Sequence, residues 1–167
     1  DQSLLLSDLP TALKGPATLS PDAIATSIRR AAEAMIGVVI VSQGALGQEF
    51  LAAAEHVVGP QSGVCAVCLD WNSDVGECGK HIHDAVAEVD SGGGVIIVAD
   101  MMGGTPCNLA IAEMRGPDVE VIAGLNLPML LKLLTTRDND NITATAIAVE
   151  ETGRTHIRRA VAPNGND

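Results

Sequence analysis

"MIGVVIVSQGALGQEF", residues 35–50, runs a β-branched apolar strand into Ser42-Gln43-Gly44 and directly on into a helical pattern. Strand, tight glycine turn and helix form the repeating unit of α/β sheets, and that turn is where such sheets place their chemistry. Four further apolar runs follow: "GVCAVCLD" (63–70), "GVIIVAD" (94–100), "VEVIAG" (119–124) and "ITATAIAV" (142–149). Apolar spacing between them predicts helices at about 48–58, 74–89, 105–115 and 128–136, with another at 151–161. The first four strands are apolar enough to be covered on both faces, which predicts a doubly wound, mainly parallel sheet. The fifth differs, because Thr143 and Thr145 alternate with Ile142, Ala144 and Ala146. That alternation reads as an edge strand, or as one exchanged with a partner chain.

Composition limits the function. Of 167 residues, 47% are hydrophobic and 19% charged, which fits a folded domain with a substantial core. Net charge is −11, and residues 1–34 contribute only −1 of it, with three Lys/Arg against four Asp/Glu. An acidic body cannot neutralise phosphates along a nucleic acid, whereas it suits a basic protein partner or simple solubility. Phe50 and Trp71 are the only aromatic residues besides histidine. Flavin, stacked-base and carbohydrate platforms, which rest on aromatic faces, are thereby disfavoured. No run reaches the ~18 apolar residues of a membrane span. "DQSLLLSDLP" lacks the basic start and small-residue cleavage site of a signal peptide. A soluble cytoplasmic protein without membrane insertion is expected.

Cys65 and Cys68 form C-x-x-C, and "CGKHIH" adds Cys78, His81 and His83, so zinc must be weighed. On a strand, residues three apart face opposite sides, and histidines two apart on a helix diverge. Reduced thiols and surface histidines are expected, with no metal and no cofactor. Residues 1–34 read as a separate extension. Ser20-Pro21-Asp22 is a helix start with a capping Ser, Pro at the first position and an early acid. It opens a helix at about 20–34. A domain at 35–161 and a mobile tail at 162–167 complete the organisation.

In an open α/β sheet the ligand crevice lies at the carboxyl ends of the strands, where strand order reverses. For the order 2-1-3-4 that crevice falls between strands one and three. Strand one ends in Ser42-Gln43-Gly44, and strand three in "ADMMGGTPCN", so the two unusual turns converge. Gly103 and Gly104 admit close approach of backbone N–H groups to an anion, and Thr105 is placed to cap the next helix. Asp100 supplies a carboxylate able to orient a neighbouring imidazole or amide. Taken alone, the second turn is also an ordinary strand-to-helix turn with a glycine pair.

At these residues the sequence resembles the mannose-family IIA domain of the bacterial phosphoenolpyruvate-dependent sugar phosphotransferase system. The likeness covers roughly residues 35–155 and rests on "MIGVVIVSQGALGQEFLAAAEHVVG", "VADMMGGTPCNLA" and "VIAGLNLPMLLKLL". A related phosphocarrier domain serving dihydroxyacetone kinase shares the fold but replaces the Gly-Gly-Thr-Pro turn. The resemblance implies a flavodoxin-like sheet of order 2-1-3-4 and a homodimer formed by exchange of a C-terminal antiparallel strand. It implies a phosphocarrier that takes a phosphoryl group from phospho-HPr and passes it to a IIB component. In that family the first turn reads Ser/Thr-His-Gly, and Gln43 stands here at the position of the phosphoacceptor histidine. Asp100 matches the aspartate bonded to that histidine, and Thr105 the hydroxyl residue beside the phosphoryl group. Ser42, Gly44, Gly103 and Gly104 complete the anion-binding turns.

The departure falls on the residue that carries the reaction. Imidazole attacks phosphorus through an unprotonated ring nitrogen, whereas an amide nitrogen has its lone pair delocalised. Glutamine matches histidine in reach and in hydrogen bonding, so Gln43 is expected to keep the geometry and remove the chemistry. His56, His81, His83 and His156 lie outside both turns and do not substitute. The intact Asp100 and Gly-Gly-Thr-Pro turn point to a recent or deliberate change at position 43. The alternative is a non-catalytic regulatory or binding module of the same fold.

Overall fold

The computed structural model describes Ser20, Asp22 and residues 34–115, 118–138 and 141–160. The chain divides after Ala32 into two units, and the elements below all lie in the second. Apart from Ser20, Asp22 and Ala34, the expected helix at 20–34 lies outside the described residues, as does the tail at 162–167.

Strands and helices alternate: β1 (Gly37–Gln43), α1 (Leu46–Val58), β2 (Val64–Leu69), α2 (Val75–Val89) and β3 (Val95–Ala99). Then come α3 (Thr105–Ile111), β4 (Val119–Ala123), α4 (Leu127–Leu134) and α5 (Ile142–Thr155). The four strands form one parallel sheet in the order β2-β1-β3-β4, as the sequence predicts. Register sets Val41 beside Ala99 and Gln43 beside Leu69, which aligns the carboxyl ends of β1, β2 and β3.

The pleat explains the two layers. Val38, Ile40, Ile96 and Val98 point to one face and pack with Ala54 of α1, Leu130 and Leu133 of α4 and Val149 of α5. Val39, Val41, Val95 and Ile97 point to the other and pack with Ile82 and Ala85 of α2 and Ala110 of α3. Both central strands are therefore buried except at Gln43, whereas β2 and β4 are edges and mostly half-exposed. Gly37 is fixed by contact, because a Cβ there would stand 2.6 Å from the carbonyl oxygen of Val89.

The amino-terminal edge of the sheet is tied by Arg137. Its side chain is 5% exposed, and its guanidinium donates to the Ser62 carbonyl (2.8 Å) and to Gln61 Oε1 (3.1 Å). Its own carbonyl accepts from the N–H of Ile36 at 2.9 Å. Burial pushes this guanidinium below its ordinary pKa.

The expected fifth strand is corrected. Residues 142–149 form the first two turns of α5, and the helix at 151–161 is the end of that same helix, which closes at Thr155. Buried Thr145, Ala146, Val149 and Gly153 make a helical stripe, with Ala144 and Ala148 exposed. Alternating Thr and Ala imitated a period of two, but alanine is the strongest helix former, and Asn141 caps the start by accepting from Ala144 N–H at 2.9 Å. Thr143 then donates to Glu120 Oε1 at 2.7 Å, laying α5 along the β4 edge. The expectation of strand exchange, and of a homodimer built on it, loses its ground here.

Candidate functional site

The β1 turn is built around Ser42. Its hydroxyl is buried, accepts from Gly47 N–H at 2.7 Å and donates to the Gly44 carbonyl at 3.3 Å. The side chain thereby folds the turn onto the start of α1. Gly44 holds φ +60 with open space about it, so the constraint there is the backbone angle, which glycine adopts without a Cβ penalty.

Asp100 joins this turn to the next one. Its Oδ2 accepts from the Gln43 backbone N–H at 2.9 Å, and its Oδ1 accepts from Met101 N–H at 2.7 Å. Its own N–H donates to the Val41 carbonyl at 3.1 Å. Both carboxylate oxygens therefore hold backbone, through charge-assisted bonds. An imidazole at position 43 is not needed to keep Asp100 in place. Asp100 is held by backbone groups whatever side chain stands at position 43.

The Gln43 side chain turns toward the opposite strand, where its Nε2 donates to the Leu69 carbonyl at 2.9 Å. Leu69 ends β2, and the same carbonyl accepts from Gly44 N–H at 2.8 Å. Among the described residues no hydrogen bond joins Thr105 to Gln43 or Asp100. Position 43 is thus anchored through its backbone to β3 and through its amide to β2.

Gly103 (φ +81) turns the chain after β3, and Gly104 precedes α3 as its N-cap. Thr105 is the first helical residue and is exposed, and no side chain caps this helix. The expected Thr105 cap is therefore replaced by a bare glycine cap. Thr105 and Cys107 lie in the first turn, where backbone N–H groups have no partner within the helix, and Pro106 removes one such donor. The sequence-predicted residues thus gather at one edge: Ser42, Gln43, Gly44 and Asp100 in direct contact, with Gly103, Gly104 and Thr105 on the adjoining turn.

Sequence reasoning did not foresee the part played by Leu69, since a backbone carbonyl leaves no mark in residue type. It also gave no site role to Trp71, Met101 or Met102, which are 82%, 62% and 70% exposed on the flanking loops. A cavity of about 420 Å³ opens beside the end of β4, lined by residues including Met102, Asn126, Met129 and Ile157. Gln43, Asp100 and Thr105 do not line it.

Elsewhere, the cysteines and histidines have separate duties. All four cysteines are free thiols. Burial, then the charge of Glu88, pushes the Cys65 thiol above its ordinary pKa, so the reactive thiolate is disfavoured. His83 Nδ1 lies 2.9 Å from Glu113 Oε2, and His156 Nδ1 lies 2.8 Å from the Thr152 carbonyl. His56 and His81 are exposed. No three His, Cys, Asp or Glu side chains among the described residues are grouped to hold a metal ion.

Comparison with known proteins agrees with this architecture. Residues 37–150 match the EIIA-man family, described as PTS system fructose IIA component. The PTS system mannose-specific EIIAB component of Escherichia coli K12 is 30% identical over 125 residues, or 74% of this chain and 39% of that protein. The chain therefore spans about two fifths of that relative. The PTS system fructose-specific EIIA component of Bacillus subtilis is 29% identical over 108 residues, covering 63% of this chain and 73% of that protein. Among solved structures, a mannose/sorbose specific IIA subunit from Enterococcus faecalis aligns with a TM-score of 0.71 at 24% identity. The alignment covers 79% of this chain and 99% of that one, which establishes the shared fold.

Proposed function

Since this chain belongs to the EIIA-man family of phosphotransferase-system IIA components, we propose that it derives from a phosphocarrier relaying a phosphoryl group from phospho-HPr to a IIB component. Gln43 occupies the acceptor position, so the chain as it stands takes no phosphoryl group. One observation carries the reading: Asp100 clasps the backbone of residue 43 at the crevice between β1 and β3, where strand order reverses. A side chain projecting from this turn is held on both sides, as a transfer residue requires. The Gln43 amide fills the position but offers no nucleophilic nitrogen. Ser42, Gly44, Gly103, Gly104 and Thr105 are the groups that would surround an incoming phosphoryl group. The reading needs no cofactor and places the chain in the cytoplasm. No helix among the described residues is long and apolar enough to cross a membrane.

The non-catalytic alternative also has an observation in its favour. Both Asp100 oxygens and the Gln43 Nε2 have backbone partners without a histidine, so the edge keeps its shape for binding alone. Onward transfer separates the two readings. Gln43→His, incubated with phosphoenolpyruvate, enzyme I, HPr and a IIB component, is expected to pass label to the IIB protein. A Gln43→His chain that folds, binds HPr and never carries label supports the binding module.

A further inference from the structure

Resting on that reading, we propose that Trp71 anchors the docking of the phosphoryl-donor protein, a partner presenting Lys and Arg around an apolar patch. Five of the ten exposed large hydrophobic residues recorded among the described residues sit on loops or helix starts at the carboxyl edge of the sheet: Leu46, Trp71, Val75, Met101 and Met102. They flank position 43 on both sides. Trp71 lies two residues beyond Leu69, whose carbonyl holds the Gln43 amide. Met101 and Met102 follow Asp100, which holds the Gln43 backbone. Neighbouring strands lie about 4.8 Å apart, so β2 and β3 end within roughly 10 Å of each other across β1. A tryptophan 82% exposed in a chain with no other tryptophan is a large apolar surface left in water, and tryptophan leads the residues that anchor protein interfaces.

The charge around the patch names the partner's chemistry. Residues 43–49, 69–77, 99–105 and 123–127 carry five Asp/Glu and no Lys, Arg or His. Glu49, Asp70, Asp74 and Glu77 are exposed, and Arg154, which lines the cavity beside Met102, is paired with Glu150. An interface of this kind steers a basic partner and repels an acidic one, including a second copy of this chain, whose net charge is −11.

The test titrates isotope-labelled, unphosphorylated HPr with this chain, with Trp71→Ala and with Trp71→Phe, each first shown to melt like the parent. Trp71→Ala is expected to weaken binding about tenfold and Trp71→Phe less, as for an aromatic anchor. Affinity is expected to fall as salt rises from about 0.05 to about 0.5 M, since the charges are exposed and screened. In the Gln43→His background, Trp71→Ala should raise the HPr concentration for half-maximal labelling while leaving the maximum rate unchanged. HPr binding equally tight to Trp71→Ala, or absent altogether, overturns the proposal. So does Trp71 emission that shifts with this chain's own concentration alone, which would make the patch a self-association face. Failure of Gln43→His to label at any HPr concentration sinks the phosphocarrier reading, whereas Trp71-dependent HPr binding would still stand.

Discussion

The Asp100 carboxylate accepts the Gln43 backbone N–H at 2.9 Å and the Met101 N–H at 2.7 Å, so one side chain pins the ends of β1 and β3 together. Asp100→Ala leaves both donors without this partner in a half-buried turn and is expected to lower unfolding stability by about 2 kcal/mol. Asp100→Asn, which retains one acceptor oxygen, should recover part of that loss. Urea unfolding of the three proteins checks this. An alanine variant as stable as the parent would mean that the carboxylate is idle in the fold.

Two glycines separate backbone strain from steric contact. Gly44 sits at φ +60 in open space, so Gly44→Ala carries only the left-handed cost of about 1 kcal/mol. Gly37→Ala instead drives its Cβ to 2.6 Å from the Val89 carbonyl, backbone that cannot step aside alone, and should cost about 2 kcal/mol or more. The reverse ranking in denaturant midpoints would contradict these contacts.

Arg137 is a structural cation that pairs with no carboxylate among the described residues. Arg137→Ala strips the donors from the Ser62 carbonyl and Gln61 Oε1 and is expected to cost about 3 kcal/mol. Lysine should rescue little, because a single ammonium cannot reproduce a planar fork reaching two groups. Thermal melts of the alanine and lysine variants decide the point, and a lysine variant matching the parent would refute it.

The helix at Ile142–Thr155 makes its own prediction. Asn141→Ala removes the side-chain acceptor for Ala144 N–H and should destabilise the chain by about 1 kcal/mol. Backbone chemical shifts and amide contacts over 142–155 should be helical in the isolated chain. Extended shifts there would restore the strand that the sequence pattern suggests.

These results show what the sequence made legible. The β-branched runs from Gly37 to Ala123 are long, apolar and punctuated by Gly, so periodicity located all four strands and the crevice they define. "ITATAIAV" defeated the same reasoning, because short Thr/Ala alternation fits both periods and only packing against α4 and β4 selects the helix. Residue types at Gln43 and Asp100 marked out the candidate site, but their mutual geometry did not follow from type. The Asp100 bonds run to backbone N–H groups and the Gln43 amide to a backbone carbonyl, and backbone groups are the same at every position. Trp71 was visible as the lone tryptophan, yet only its exposure beside the turn turns it into a surface feature.

Placing an imidazole in this turn brings a titration with a known sign. An unperturbed histidine has a pKa near ~6.5, and only its neutral form has a nitrogen free to attack phosphorus. Phosphoryl acceptance by Gln43→His should therefore be full above that pKa and fall as pH drops through it. A rate that rises on acidification would mean the imidazole is not the acceptor.

Intact mass of this chain and of Gln43→His, after incubation with phosphoenolpyruvate, enzyme I and HPr, tests most directly the claim that Gln43 keeps the geometry and removes the chemistry. The account predicts an unmodified parent chain and one acid-labile phosphoryl group on Gln43→His, because an amide nitrogen cannot form the phosphoramidate and an imidazole can. A parent chain that gains a phosphoryl group at a rate comparable with the histidine form would contradict it.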